Sequence, residues 1–232
     1  MRKIYLLLFL GALTMVQCRN EELLENCPSI STNLSISASE ALFLDVAFGQ
    51  EFGQDAAGLR KWDQAIRLHV VGEAPSEVVQ ELDIVIDELN QLSDFILISK
   101  TLEPDEANFI VFLGEKVDYV GEIEPAAQGI AEGNSGFVTI AWDASSAITR
   151  ASVCIDHINF PALNDLKHVI REEMAQALGL INDTEESEDS IFHQFLGDAI
   201  SYSTLDQQLI AYQLGNELIP GMCPLEVLAI IE

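Results

Sequence analysis

Residues 167–183, KHVIREEMAQALGLIND, place a carboxylate on the apolar face of a helix, and few folds tolerate that. Leu166, Ile170, Ala177 and Leu180 recur at helical spacing. Glu173 falls inside their stripe, three residues after Ile170 and four before Ala177. Removing a carboxylate from water is costly unless a partner compensates it. His168, Glu172 and Gln176 follow one another at i, i+4 spacing on the adjacent flank. Gly179 supplies the helix stop, with Asn182 and Asp183 just beyond it.

The rest of the chain must bury this helix, and 232 residues suffice for one domain with a sizeable core. Eleven Lys and Arg stand against 38 Asp and Glu, a net charge of -27. That balance argues against a nucleic-acid partner, because phosphates need a basic footprint. It also disfavours attraction to anionic lipid headgroups. Solubility is the simpler reading of the charge.

Residues 1–17 read as a leader. Arg2 and Lys3 form a positive start, and 4–16 is apolar but too short for a stable span. The segment ends at Gln17-Cys18 and resembles a lipoprotein signal of the looser kind seen in Bacteroidetes-like bacteria. That resemblance makes Cys18 the lipidated first residue of the mature chain, anchored in the cell envelope, at the outer membrane. The acidic pair Glu21-Glu22 resembles a surface-export signal. Residues 18–38 form a polar tether expected to hold the globular part away from the membrane, and 39–232 form the domain. Of Cys27, Cys154 and Cys223, two could pair in an oxidising compartment, and spacing does not choose which. No CxxC is present to suggest a cysteine zinc site.

Within the domain, 39–52 is helix-compatible. Alternation predicts strands at 65–71, 95–99, 108–113, 137–142 and 148–155, and 114–136 reads as a glycine-rich loop. A helix follows Ser76 as N-cap and carries Val78, Val79, Leu82, Val85, Ile86 and Leu89 on one face. Thr204 fits the N-cap of a helix ending near Leu214, and Pro224 opens a last one. The order predicts an α+β fold: a mixed sheet with two long helices on one face, and a smaller helical C-terminal part. A cleft between the parts would run beside the central helix.

Metal-dependent hydrolysis from a helix needs two ligands at i and i+4, a carboxylate base after the first, and a third ligand beyond a turn. Residues 172–182 have that skeleton, as EExxQxxGxxN in place of HExxHxxGxxH. Glu172, Gln176 and Asn182 occupy the three ligand places. Glu173 falls where the general base belongs, and Met222 follows in Pro220-Gly221-Met222 as a Met-turn would. The strand 148–155 precedes the helix as an edge substrate strand would.

On these residues, with Leu178, Leu180, Asp183, Ser190-Ile191-Phe192, Lys61-Trp62 and Ala107-Asn108, the chain resembles a family of uncharacterised bacterial secreted proteins and lipoproteins. Those proteins carry a zincin-like domain of metzincin type. The resemblance spans roughly 59–228 and implies that fold for the domain, with no demonstrated activity.

Both ligand histidines are replaced, and neutral amide oxygens are poor partners for Zn²⁺, so a conventional zinc site is not expected. Glu172, Gln176 and Asn182, helped by Asp183, could form an oxygen-rich site for a harder divalent cation. Alternatively, Gln176 and Asn182 satisfy Glu173 and nearby backbone by hydrogen bonds. The favoured expectation is a degenerate metallopeptidase-like module that binds a peptide or protein, by adding a strand beside 148–155. The alternatives are an atypical peptidase with Glu173 as base and His168 as a substitute ligand, and a purely structural envelope lipoprotein. His168 with Glu172 reads first as a solvated pair on the helix flank. No GxSxG or phosphate-binding loop is present.

Overall fold

A computed structural model describes residues 27, 35–49, 56, 58–129, 136–160, 162–194 and 199–231. The leader, Cys18 and the tether apart from Cys27 and 35–38 lie outside the described residues. The element order is α1 Ala38–Phe48, β1 Ile66–Gly72, α2 Ser76–Leu92, β2 Ile98–Lys100, β3 Phe109–Leu113, α3 Lys116–Glu122, β4 Gly136–Trp142, β5 Ile148–Ile155, α4 Leu163–Gln176, α5 Thr204–Leu214 and α6 Pro224–Ile231.

The five strands form one mixed sheet in the order β2-β1-β3-β5-β4. The first four are parallel neighbours, and β4 runs antiparallel beside β5. The expected strand 148–155 matches β5, but its place differs. β5 lies inside the sheet, because β4 returns along its outer side in a hairpin while β3 takes the other. The edge on this side is β4, with β2 at the other end of the sheet, and among the described residues no strand pairs with the outer side of β4.

Helices α2 and α4 pack on each other and share the main core with α1, α5 and α6. Val78, Leu82, Val85, Ile86 and Leu89 of α2 are buried there, as their spacing predicts. The two-helix face, the mixed sheet and the helical C-terminal part follow the sequence expectation. The local departures have identifiable causes. Ser76 is the first residue of α2, after Pro75 in extended backbone. Ser203, rather than Thr204, caps α5 through a reciprocal pair with Asp206. The expected strand 95–99 shrinks to Ile98–Lys100 because side chains claim its backbone first. Ser93 Oγ accepts from Ile96 N–H at 2.9 Å, and Asn90 Oδ1 accepts from Ile98 N–H at 2.8 Å.

The predicted loop 114–136 contains α3 and a 3₁₀ turn at Pro125–Ala127, with 130–135 outside the described residues. This segment covers the opposite side of the sheet with a smaller cluster of Phe112, Tyr119, Ala127 and Cys154. Polar groups pin it. Ser152 Oγ donates to Glu124 Oε1 at 2.8 Å and shares a 3.0 Å hydrogen bond with the Tyr119 hydroxyl, while Arg150 pairs with Glu124 at 2.6 Å. Cys27 and Cys223 form a disulfide, and Cys154 is buried as a thiol whose pKa burial pushes up to about 12.

Candidate functional site

The central helix begins at Leu163 and ends at Gln176, just short of the expected stop at Gly179. Its last turn tightens, with Leu178 N–H donating to Ala175 and Gly179 N–H to Gln176. Gly179 has φ +112, a conformation that side chains rarely adopt. A Cβ there would also lie within 3 Å of the Arg60 carbonyl and of Gln213 Nε2.

Remote side chains satisfy the carbonyls this stop exposes. Trp62 Nε1 donates to Ala177 at 2.9 Å, and Gln213 Nε2 donates to Leu178 at 2.8 Å and to Arg60 at 2.7 Å. The fully buried Lys61 ammonium donates in turn to the Gln213 carbonyl in the last turn of α5. Burial pushes the Lys61 pKa down to about 8. Lys61 and Trp62 therefore cap two helices from one dipeptide, a role the sequence reading left unassigned. The available signal was Gln213, an amide four residues after Leu209 and beside Leu214 on the buried face of that helix.

Glu173 is 7% exposed and lies under the first residue of the edge strand. A Cβ at Gly136 would meet its carboxylate, and would stand 2.6 Å from Glu173 Cγ and from Val169 Cγ1. The missing side chain at Gly136 is what lets the helix approach the sheet edge here. Gly136→Ala should lower stability by about 1–3 kcal/mol. Urea unfolding checks this, and a change within about 0.5 kcal/mol would show that the edge yields.

The three ligand-place residues engage different partners. Gln176 Nε2 donates to Asp183 Oδ1 at 3.0 Å. Asn182 turns to α1, donating from Nδ2 to Asp45 Oδ1 at 3.2 Å and from its backbone to Val46 at 3.1 Å. Glu172 Oε2 stands 3.6 Å from His168 Nε2. His168 is fully buried rather than solvated, because the 199–206 segment closes over it, and its Nδ1 donates to the Ala199 carbonyl at 2.9 Å. Its burial lowers its pKa. Among the described residues, no group of three His, Cys, Asp or Glu is arranged to hold a metal ion. Met222 lies in the expected turn, but its hydrogen bonds run to Leu59 and Ile219 rather than to the central helix.

Asp183 carries a readable electrostatic consequence. Burial raises its pKa, opposed by the Gln176 hydrogen bond and by His193. A raised carboxyl pKa favours the protonated form on folding, so its contribution is full below about 3.9 and is lost as pH rises through the folded value. Asp183→Asn keeps an acceptor for Gln176 and removes the charge. It should raise the urea midpoint at pH 7 and lose that advantage in acid; a lower midpoint at pH 7 would reverse the sign.

A third polar cluster joins the two long helices. Arg171 Nη1 donates to Glu81 at 2.5 Å, Arg171 Nη2 pairs with Glu88 at 3.2 Å, and Lys167 approaches Glu81 at 3.4 Å. The Tyr202 hydroxyl donates to the Arg171 carbonyl at 3.1 Å. These groups tie the helix pair together.

Fold and site together define a mixed α/β protein built around a remotely capped central helix, with polar residues along one flank and, beside it, a sheet edge that no described strand pairs. The chain belongs to the family described as Protein of unknown function (DUF2927), whose model matches residues 37–232. No curated protein matches it. Among solved structures it is similar to that of myroilysin, at 12% identity and a TM-score of 0.42, over 66% of this chain and 94% of that chain.

Proposed function

We propose that this is an extracytoplasmic lipoprotein whose domain is a degenerate, zincin-like module that holds an extended peptide and does not hydrolyse it. The observation that carries the reading is the fate of the ligand-place side chains. Gln176 and Asn182 donate amide N–H groups to Asp183 and to Asp45 of α1, so the two side chains are anchored on different segments, and the amide oxygens left to them are poor donors for Zn²⁺. The 172–182 spacing and the later Pro-Gly-Met turn supply the zincin-like character. The Cys27–Cys223 disulfide supports an oxidising compartment.

Peptide binding would use the outer side of β4, not β5. An edge strand presents backbone donors and acceptors in register for an added strand. Val138 and Ile140 pack toward the main core, so specificity would come from the opposite face and from Glu173 beneath Gly136.

Hydrogen–deuterium exchange on the mature chain with a library of extended peptides tests this. Binding should slow exchange across 136–142. Binding that leaves those amides unprotected, or no binding from any peptide, would remove the strand-addition reading.

A further inference from the structure

Cys27 is joined to Cys223 across a sequence separation of 196 residues, with Cα atoms 5.5 Å apart. Cys223 belongs to a well-tied corner. Gly221 N–H donates to the Leu59 carbonyl and Leu59 N–H to the Met222 carbonyl, both at 2.9 Å. A Cβ at Gly221, which has φ +83, would lie 2.9 Å from the Ser145 carbonyl in the β4–β5 turn. Cys223 N–H donates to Glu226 Oε2 at 2.8 Å at the start of α6. The disulfide therefore fastens the N-terminal tether to the corner where three segments meet.

We infer that this disulfide, rather than the full length of the tether, sets the distance between the domain and the bilayer, with the Pro220-Gly221-Met222 corner turned toward the lipid. The inference rests on the proposed acylation of Cys18. Eight residues lie between Cys18 and Cys27, so the corner stays within about 30 Å of the anchored residue even when the chain is fully extended. Without the cross-link the free path would run to α1, a reach of about 70 Å. As flexible chains the two paths have typical spans of about 17 and 25 Å.

The net charge of -27 gives no attraction to anionic headgroups that could hold the domain down by another route. Covalent reach is then the controlling term. The geometry also gives the edge strand a direction. The Trp142 end of β4 leads into the turn at the anchored corner, while its Gly136 end, beside Glu173, lies about 20 Å further along the strand. The open edge thus starts at the membrane-proximal corner, and its Glu173 end is remote from it. The tether expected to hold the domain away becomes a short leash.

Two insertions in the full lipidated chain separate this geometry from a simple tether. A flexible Gly/Ser segment of about 24 residues goes either between Cys18 and Cys27 or between Cys27 and Ser37. A fluorophore at position 145 reports energy transfer to acceptor lipids in phosphatidylethanolamine–phosphatidylglycerol vesicles, and mass spectrometry reports the acyl groups on Cys18. The first insertion should lower transfer by more than about twofold, and the second should leave it unchanged. Equal losses from both, or none from either with Cys18 acylated, would overturn the inference alone. A Cys18 without acyl groups would overturn the lipoprotein reading and this inference with it.

Discussion

Gly179→Ala is expected to lower the unfolding free energy by about 3–5 kcal/mol. Two costs combine. Holding alanine at φ +112 is strained, and its Cβ would press on the Arg60 carbonyl and on the Gln213 amide. The second cost propagates, because Gln213 is the group that satisfies the Leu178 and Arg60 carbonyls. Displacing it leaves buried acceptors without partners, at about 1–3 kcal/mol each. Gly121→Ala is the control. It sits in α3 with nothing within 4 Å of an added Cβ, so alanine there should be neutral or gain about 0.5–1 kcal/mol. Chemical denaturation of both variants checks the contrast; equal effects would mean that the stop at Gly179 is not the constrained point.

Arg171→Met should cost about 3–5 kcal/mol, because among the described residues it leaves the buried Glu81 only Lys167, at 3.4 Å, to compensate it. The loss comes from the stranded carboxylate more than from the missing bond. Adding Glu81→Met to the same chain should therefore restore most of the stability, since an apolar pair of similar size often equals a buried ion pair. A double-mutant cycle by urea unfolding reads this directly. Additive losses would show that the cluster is held by something other than mutual neutralisation.

Much of this architecture could be read from periodicity. The apolar face of α2 and the bounds of β5 could be read this way, although β5 is buried on both faces from Ala151 to Ile155 rather than alternating, as suits a strand inside the sheet. The position of β5 could not be read, because chain order does not say which side of a strand its hairpin partner will occupy. β2 was overestimated because Asn90 and Ser93 compete for its backbone from the preceding helix end. In the site, the unusual burial of Glu173 and the stop at Gly179 were legible from the stripe. The partners were not: Asp45 with Asn182 and Gln213 with Leu178 are separated by 137 and 35 residues and depend on tertiary packing. The His168–Glu172 pair was expected on a wet flank, and the hydrogen bond from His168 to Ala199 comes with a fully buried imidazole while Glu172 stays partly exposed.

Whether the central helix binds or cuts is settled most directly by mass spectrometry of a peptide library incubated with the mature chain. Zn²⁺, Mn²⁺ and Ca²⁺ are supplied in turn, beside Glu173→Gln. With Gln176 and Asn182 committed to Asp183 and Asp45, every peptide should be recovered intact, and the retained ones should bind wild type with each metal or none. Metal-dependent cleavage by the wild type that disappears in Glu173→Gln would contradict this, and would make Glu173 a working general base on a metallopeptidase site.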